Sequence, residues 1–538
     1  MKRFLALPLL ALLAASTPRL AADPALMSEA VRTLASPEFE GRGPGTPGEA
    51  KTVAWLVERF KTLGLEPGGE DGSFIQKVPM IHTRVSPEGG MAIGTTVVHQ
   101  GREINVTTVR DDPKADVIAP LVFVGYGVTA PEAGWDDFKG VDLHGKVAVF
   151  LVNDPDFEAT ASDDANGRFG GRRMTYYGRW TYKFDEAARR GAVGALIVHD
   201  TGGAGYPWTT VNANNGENYA IPARPGENRL VLQGWIEHGM ADRMFAGAGL
   251  DLNALRVQAR SAKFRPAELK GVRFSAELPV SVERIESRNV IARLTGKGHS
   301  NETVMFGAHW DAYGKAADGT IRPGANDDAM GVAGVLELAR LFKAGKRPDR
   351  TLVFALWTGE ERGLLGSEYY ASHPLYPLET TAANLTLDIL NTAGPSRNVV
   401  LVGNGNSSLD TMLMAVAAGQ GRTVVGETFS ERGLYFRADH FSVARRGVPS
   451  LLIMQLGGAP DLAEGGLAAG QAWLDGYMKC YHQACDTWDA AWDLRGAAQD
   501  VDLYYLMGLR IANNGLWPRW RTGFEFEKIR NASAAARR

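Results

Sequence analysis

Apolar and polar positions follow three different rhythms along this chain. Between Ala50 and Leu63, Val53, Ala54, Leu56, Val57, Phe60 and Leu63 recur at helical spacing, and Gly64 follows as a stop. Residues 25–65 are therefore expected to be largely helical. From about Asp112 to Pro266 short apolar runs at Leu121–Val124 and Lys146–Val152 stand between turn-rich segments. A short helix is expected over Phe184–Arg190, followed by the apolar run Gly191–His199. Segments 155–175 and 201–228 are rich in Gly, Asn and Asp and are read as long loops. From Ser287 the rhythm becomes a regular alternation. Strands are expected at Val290–Leu294, Thr303–Ala308, Thr351–Leu356, Asn384–Ile389, Asn398–Val402 and Ser450–Met454. Helices are expected at Gly331–Lys343, Gly366–Ser372 and Leu409–Ala418. This alternation predicts an α/β domain with a mostly parallel mixed sheet flanked by helices, interrupted by a β-rich module. The expected division is 1–22, 23–111, 112–275 for the module, 276–525, and a tail at 526–538.

The first residues differ from all of this. Met1-Lys2-Arg3 is basic, Phe4 to Ala15 is apolar, and Leu20-Ala21-Ala22 offers a cleavage site before Asp23. This reads as a secretory signal peptide, and the apolar run is too short to span a bilayer. No Cys lies near the cleavage site, which argues against a lipid anchor there. The expected location is periplasmic or extracellular. The 538 residues carry 58 basic and 61 acidic side chains, a net charge of −3, so no basic field points to nucleic acid. The 2 cysteines, Cys480 and Cys485, flank His482. In an oxidising compartment they fit a short disulfide loop, with free thiols as the alternative. Oligomeric state is not legible.

Chemistry concentrates where the alternating strands end. The strand ending at Ala308 runs into His309-Trp-Asp311. The strand ending near Leu356 runs into Glu360-Glu361. A third carries Asp388 at its end, and Asp327-Asp328 lies just before a helix. Ligand sites in such sheets form beyond the carboxyl ends of strands. Histidine with carboxylates is a donor set suited to zinc. Two metals need a bridging carboxylate. Asp311 can accept the second ring N–H of His309 and fix its tautomer. In the Glu-Glu pair one carboxylate can bind metal while its neighbour takes a proton. Asp388 on an apolar strand is costly to bury unpaired. The glycine-rich run Glu40–Gly48 has no preceding strand and no Lys-Ser/Thr pair, which excludes a phosphate loop. Lys183 and the other charges of the module are read as solvated surface.

Gly307-Ala-His-Trp-Asp311, Pro323-Gly-Ala-Asn-Asp-Asp328-Ala-Met-Gly331, Gly359-Glu-Glu-Arg-Gly-Leu-Leu-Gly-Ser367, Leu387-Asp388 and Tyr481-His482 together resemble the co-catalytic zinc aminopeptidases, a family that includes bacterial leucyl aminopeptidases and glutamate carboxypeptidase II. The resemblance covers roughly residues 25–110 and 280–515. It implies two zinc ions, a peptide substrate and the zinc exopeptidase fold. His309 and Asp388 would hold one ion, Glu361 and His482 the other, and Asp327 would bridge them. Glu360 would be the general base and Asp311 would orient His309. Tyr435, in Gly433-Leu-Tyr435-Phe-Arg-Ala-Asp439-His440, would stabilise the tetrahedral oxyanion, with a packed aromatic as its alternative. Asp439 and His440 are expected to support the site from outside. The middle segment resembles a protease-associated domain through Val122–Gly127, Val141–Val147 and Gly191–Val198.

The same centre would serve a carboxypeptidase or dipeptidase. No basic cluster can be placed in the sequence at a carboxylate-binding pocket. A glutaminyl cyclase-like acyltransferase is disfavoured by the full two-metal ligand set, and a non-catalytic receptor relative by the presence of every ligand and the base.

Overall fold

The computed structural model describes residues 20–537. The expected signal sequence falls mostly on residues 1–19, outside the described residues. The helix Pro24–Leu34 opens with Asp23 capping it, its carboxylate accepting the Ala25 N–H at 2.8 Å. Met27, Ala30, Val31 and Leu34 form its buried face. The helix Pro47–Thr62 follows, and Gly64 takes the left-handed backbone that ends it.

Four parallel strands make the centre of the main sheet: Arg350–Trp357, His299–His309, Thr381–Asp388 and Ser450–Met454, in that spatial order. Three of the four are buried along their whole length, as strands covered on both faces must be. Antiparallel strands lie on both sides. Ala267–Leu294 pairs with Arg350–Trp357, and Asn398–Val402 pairs with Ser450–Met454. Helices Met330–Ala344 and Arg495–Asn513 pack on one face, with Phe306, Phe342 and Phe354 in that core. Trp357, Tyr370 and Val443 fill the other face under Leu365–Ser372 and His440–Ala444. The expected strands and helices of this half appear within a few residues of their predicted ends, except that the strand expected at Val290–Leu294 is the last stretch of the much longer strand Ala267–Leu294.

Ala267–Leu294 joins two sheets. Its first half pairs with Lys114–Phe123 and Gly90–Ile93, and its second half with Ile75–Val85 and Arg350–Trp357. Lys114–Phe123, Val147–Leu151, Gly194–Val198 and Leu232–Ile236 run parallel in the second sheet, edged by Ile104–Thr107. By strand pairing, residues 90–107 stand with the inserted module, upstream of position 112. Its other limit lies inside a continuous strand.

Two expectations fail in this module. Segment 201–228 holds the short helices Thr201–Ala204 and Trp208–Val211, and the strand Glu217–Ala220, which pairs with Ile75–Val85. Lys183 is fully buried rather than solvated. It lies on the inward face of Trp180–Arg189 beside Glu186 and Ala187, and its ammonium donates to the carbonyls of Tyr126, Asn153 and Tyr177 at 2.6, 3.1 and 3.2 Å.

Candidate active site

His309 and Asp388 are the last residues of two adjacent parallel strands, so both sit at the carboxyl edge of the sheet. Glu360 and Glu361 follow the third strand through a turn at Gly359, whose φ is +64°. Asp327 lies between Gly324, also left-handed at φ +58°, and the helix Met330–Ala344. His482 comes from a loop after the helix Gly466–Tyr477, in a left-handed conformation at φ +62°. That loop is closed by a Cys480–Cys485 disulfide.

These six side chains converge. Asp327 points one carboxylate oxygen at each imidazole: Oδ1 is 3.2 Å from His309 Nε2, and Oδ2 is 3.2 Å from His482 Nε2. Glu361 Oε2 is 3.2 Å from His482 Nε2. Asp388 Oδ1 and Glu360 Oε2 stand 4.0 and 3.9 Å from His309 Nε2. Two donor groups result, one of His309 and Asp388 with Asp328, the other of Asp327, Glu361 and His482. Asp328 is already committed to backbone, accepting N–H groups of Gly331 at 2.8 Å and His309 at 3.3 Å. Asp327 is the carboxylate that faces both groups.

The donors fit a bound cation. Asp388 Oδ1 is buried with no hydrogen-bond partner, a costly state for a carboxylate unless positive charge meets it. Burial raises Glu360, Glu361 and Asp388 well above the ordinary carboxylate range, and the crowd of like charges adds to it. Asp327 goes the other way: burial is outweighed by its hydrogen bonds to His309 and His482, and its pKa falls. Burial alone would lower His309, but Glu360, Asp311 and Asp327 hold it well above normal. The site is a cluster of acids around two imidazoles, short of positive charge.

Asp311 supports His309 in an unexpected way. His309 Nδ1 lies 3.0 Å from the backbone carbonyl of Asp311, and 3.6 Å from its carboxylate. The carboxylate instead accepts the backbone N–H of Glu360 at 3.1 Å, tying base and ligand loops together.

Tyr435 is not brought to this centre. Its ring is buried against Gly403 and His440, and its hydroxyl donates to the Ser450 carbonyl at 3.3 Å. Its neighbours Leu434, Phe436 and Arg437 line the cleft instead. In the 3-10 turn Leu434–Phe436 one residue turned inward is Tyr435, so the packed-aromatic alternative describes its surroundings. Trp310 and Trp357 are core residues, both almost fully buried.

Three supporting residues escaped sequence reasoning. The Asp486 carboxylate accepts the backbone N–H groups of Asn326 and Asp327 at 3.0 and 3.1 Å. Arg42, fully buried, donates to the carbonyls of Trp310, Pro323 and Gly324. It belongs to the glycine-rich run near the N-terminus, where a Cβ on Gly41 would fall 2.5 Å from the Arg322 carbonyl. That run braces the Asp327 loop. The hydroxyl of Tyr313 lies 3.0 Å from His482 Nδ1. Tyr313 and Asp486 follow the His309 and His482 motifs by two and four residues, whereas Arg42 reaches the site from the N-terminal run only through the fold.

The centre opens into a cleft of about 530 Å³. Glu360, Glu361, Asp388 and His482 line it together with Arg179, Trp180, Phe184 and Tyr219, which come from the module segment.

Residues 289–506 match the model for peptidase family M28. A protein of Mycobacterium tuberculosis named "Probable lipoprotein aminopeptidase LpqL" is 31% identical over 472 residues, covering 83% of this chain and 76% of that protein. The chain belongs to peptidase family M28. A second relative, named "Probable zinc metalloprotease", from Pyricularia oryzae, is 35% identical over 137 residues, 24% of this chain and 26% of that protein. Among solved structures, an aminopeptidase from Aneurinibacillus sp. strain AM-1 superposes with a TM-score of 0.50 at 23% identity, covering 92% of this chain and 96% of its own. That likeness of fold extends over the inserted module as well. No helix among the described residues is long and apolar enough to cross a membrane.

Proposed function

We propose that this M28 chain is an exported aminopeptidase that holds two zinc ions and removes residues from the N-termini of peptides. One observation carries the two-metal reading. Asp327 divides its carboxylate between two imidazoles, and each imidazole has a further carboxylate beside it. In this reading His309 and Asp388 hold one ion, Glu361 and His482 the other, and Asp327 spans both. The surplus of buried acids supports it, since four carboxylates around two histidines must either take up protons or meet added positive charge.

Bound zinc supplies Lewis acidity that polarises the scissile carbonyl and activates water near neutral pH. Glu360 lines the cleft with its backbone pinned to Asp311, which holds its carboxylate where it can accept a proton and give it up again. It takes the proton of the attacking water and delivers it to the leaving amine nitrogen. The same acidic wall attracts the α-ammonium of an unblocked peptide. Asp311 positions His309 through its carbonyl and Glu360 through its carboxylate. The names of the relatives support the aminopeptidase direction, and the basic-then-apolar N-terminus supports export.

The test is hydrolysis of an unblocked peptide beside its N-acetylated twin, with zinc supplied and products identified by mass. Loss of the N-terminal residue from the unblocked peptide alone is expected. Cleavage of both at the C-terminus would replace the reading with a carboxypeptidase.

A further inference from the structure

The strand Glu217–Ala220 belongs to the module segment by sequence, yet it pairs with Ile75–Val85 rather than with the parallel strands of the second sheet. That detour carries Tyr219 into the cleft, which it lines together with Tyr313 and Arg362. The three side chains form a stack. The guanidinium carbon of Arg362 lies 4.8 Å from the centre of the Tyr219 ring and 5.1 Å from that of Tyr313, a double cation–π contact. The same guanidinium donates to the Tyr313 carbonyl at 3.3 Å. Tyr219 is itself held. The His82 ring stacks on it at 4.3 Å, tilted by only 6°, and Glu217 and Glu283 stand 3.1 and 3.4 Å from the two nitrogens of that histidine.

The other end of the stack meets a residue of the metal centre. The Tyr313 hydroxyl lies 3.0 Å from His482 Nδ1, and the two rings are 4.7 Å apart. His482 stands on a loop in a left-handed conformation. Its other ring neighbour, Tyr481 at 3.7 Å, is the residue before it and moves with that loop. Tyr313 is thus the contact that reaches Nδ1 from outside the loop. Tyr313 lies between the strand His299–His309 and the small hairpin of Gly314–Lys315 with Ile321–Arg322. Arg322 covers its ring at 5.5 Å, but belongs to that same hairpin. Arg362 and Tyr219 come from elsewhere in the fold and tie Tyr313 to it.

We propose that Tyr219 and Arg362 are positioning residues for His482: Tyr219 holds Arg362 against Tyr313, and so sets how firmly one of the two metal sites keeps its ion. The inference rests on the two-zinc reading. It gives the inserted segment a part in the metal centre itself, beyond its share of the cleft surface. One substitution separates this role from plain electrostatics by sign. Arg362 follows Glu361 directly, and a positive charge beside a cation site weakens that site. Loss of the charge alone tightens zinc, whereas loss of the prop loosens it.

Zinc is titrated into the full chain, stripped of metal and without peptide, in competition with a chromogenic chelator. Tyr219→Leu should weaken one of the two ions about 3- to 10-fold, less than loss of a direct partner of the histidine, and leave the other unchanged. Tyr219→Phe keeps the ring face and should bind zinc like the natural chain. Arg362→Gln should weaken the same ion as Tyr219→Leu. In a Tyr313→Phe background Tyr219→Leu should have no further effect, because both act on His482 through one hydroxyl. Natural zinc binding in Tyr219→Leu, a loss spread evenly over both ions, or tighter binding in Arg362→Gln would overturn the proposal. If the natural chain holds fewer than two ions, the two-zinc reading has failed separately. The stack is then judged on the metal-free chain by nitrogen NMR of the histidine imidazoles. A His482 Nδ1 signal that Tyr219→Leu moves and Tyr219→Phe leaves in place sustains it, and any other pattern removes it.

Discussion

The hydroxyl of Tyr313 sits 3.0 Å from Nδ1 of His482, the ring nitrogen turned away from Asp327 and Glu361. The contact fixes which face of the imidazole meets the acids, and it does so for a histidine on a loop rather than on a strand. A hydrogen bond to the far nitrogen of a ligating histidine typically contributes about 10- to 100-fold to metal affinity. Tyr313→Phe keeps the ring and removes the hydroxyl. Zinc affinity, measured by competition with a chromogenic chelator, should fall about 10-fold. Unchanged affinity would reduce Tyr313 to a packing residue.

Glu360 and Glu361 are neighbours with different surroundings, and substitution should separate them. Glu361 touches His482 at 3.2 Å, whereas Glu360 reaches no imidazole closer than 3.9 Å. Glu360→Gln should retain both zinc ions by elemental analysis while turnover drops about 10²- to 10⁴-fold. Glu361→Gln should lose metal. Zinc loss in both variants, or full turnover in the first, would require the roles to be reassigned.

The disulfide makes the His482 segment a closed loop. Cys480 and Cys485 have Cα atoms 5.1 Å apart, and His482 between them holds a positive φ that a free chain rarely keeps. Replacing both cysteines by serine should loosen that loop and weaken zinc retention during dialysis, with little change in overall melting. Equal zinc retention in the variant and the natural chain would show that Asp327, Glu361 and Tyr313 hold His482 unaided.

The strand ends were legible because alternation and chemistry coincide there. His309 and Asp388 close apolar runs, and Glu360-Glu361 and Asp327 stand beside glycines that turn the chain. The bracing of the site was not legible. Arg42 and Asp486 act on backbone groups of the Asp327 loop from positions far apart in the chain, and a side chain that binds backbone leaves no motif at its target. Tyr435 shows the opposite limit. Its neighbourhood resembles the family pattern, but the resemblance does not say which residue of a tight turn faces the cleft. Lys183 defeats a sequence reading because a charged residue on a helix face is ordinarily solvated, and nothing local announces three carbonyls folded over it. The second sheet was harder still, since its membership depends on one 28-residue strand serving two sheets.

His440 offers a stability test that does not depend on turnover. It is fully buried, its ring 4.6 Å from that of Tyr435, and burial pushes its imidazole from 6.5 down to about 3. The unfolded chain therefore binds a proton below pH 6.5 that the folded chain refuses. Stability from this residue is complete above its unfolded value and is lost as the pH falls from 6.5 toward 3. At pH 5 the loss amounts to about 2 kcal/mol, because each step of one pH below the unfolded value costs about 1.4 kcal/mol. Substituting His440→Leu removes the titration but also the imidazole's packing, so the two chains differ at every pH. What isolates the histidine is the slope. Between about pH 7 and pH 5, the gap in urea-unfolding free energy between natural chain and variant should shift by about 2 kcal/mol in favour of the variant. A gap that stays constant over that range would mean that His440 takes up its proton in the folded state, and that its pocket opens to water.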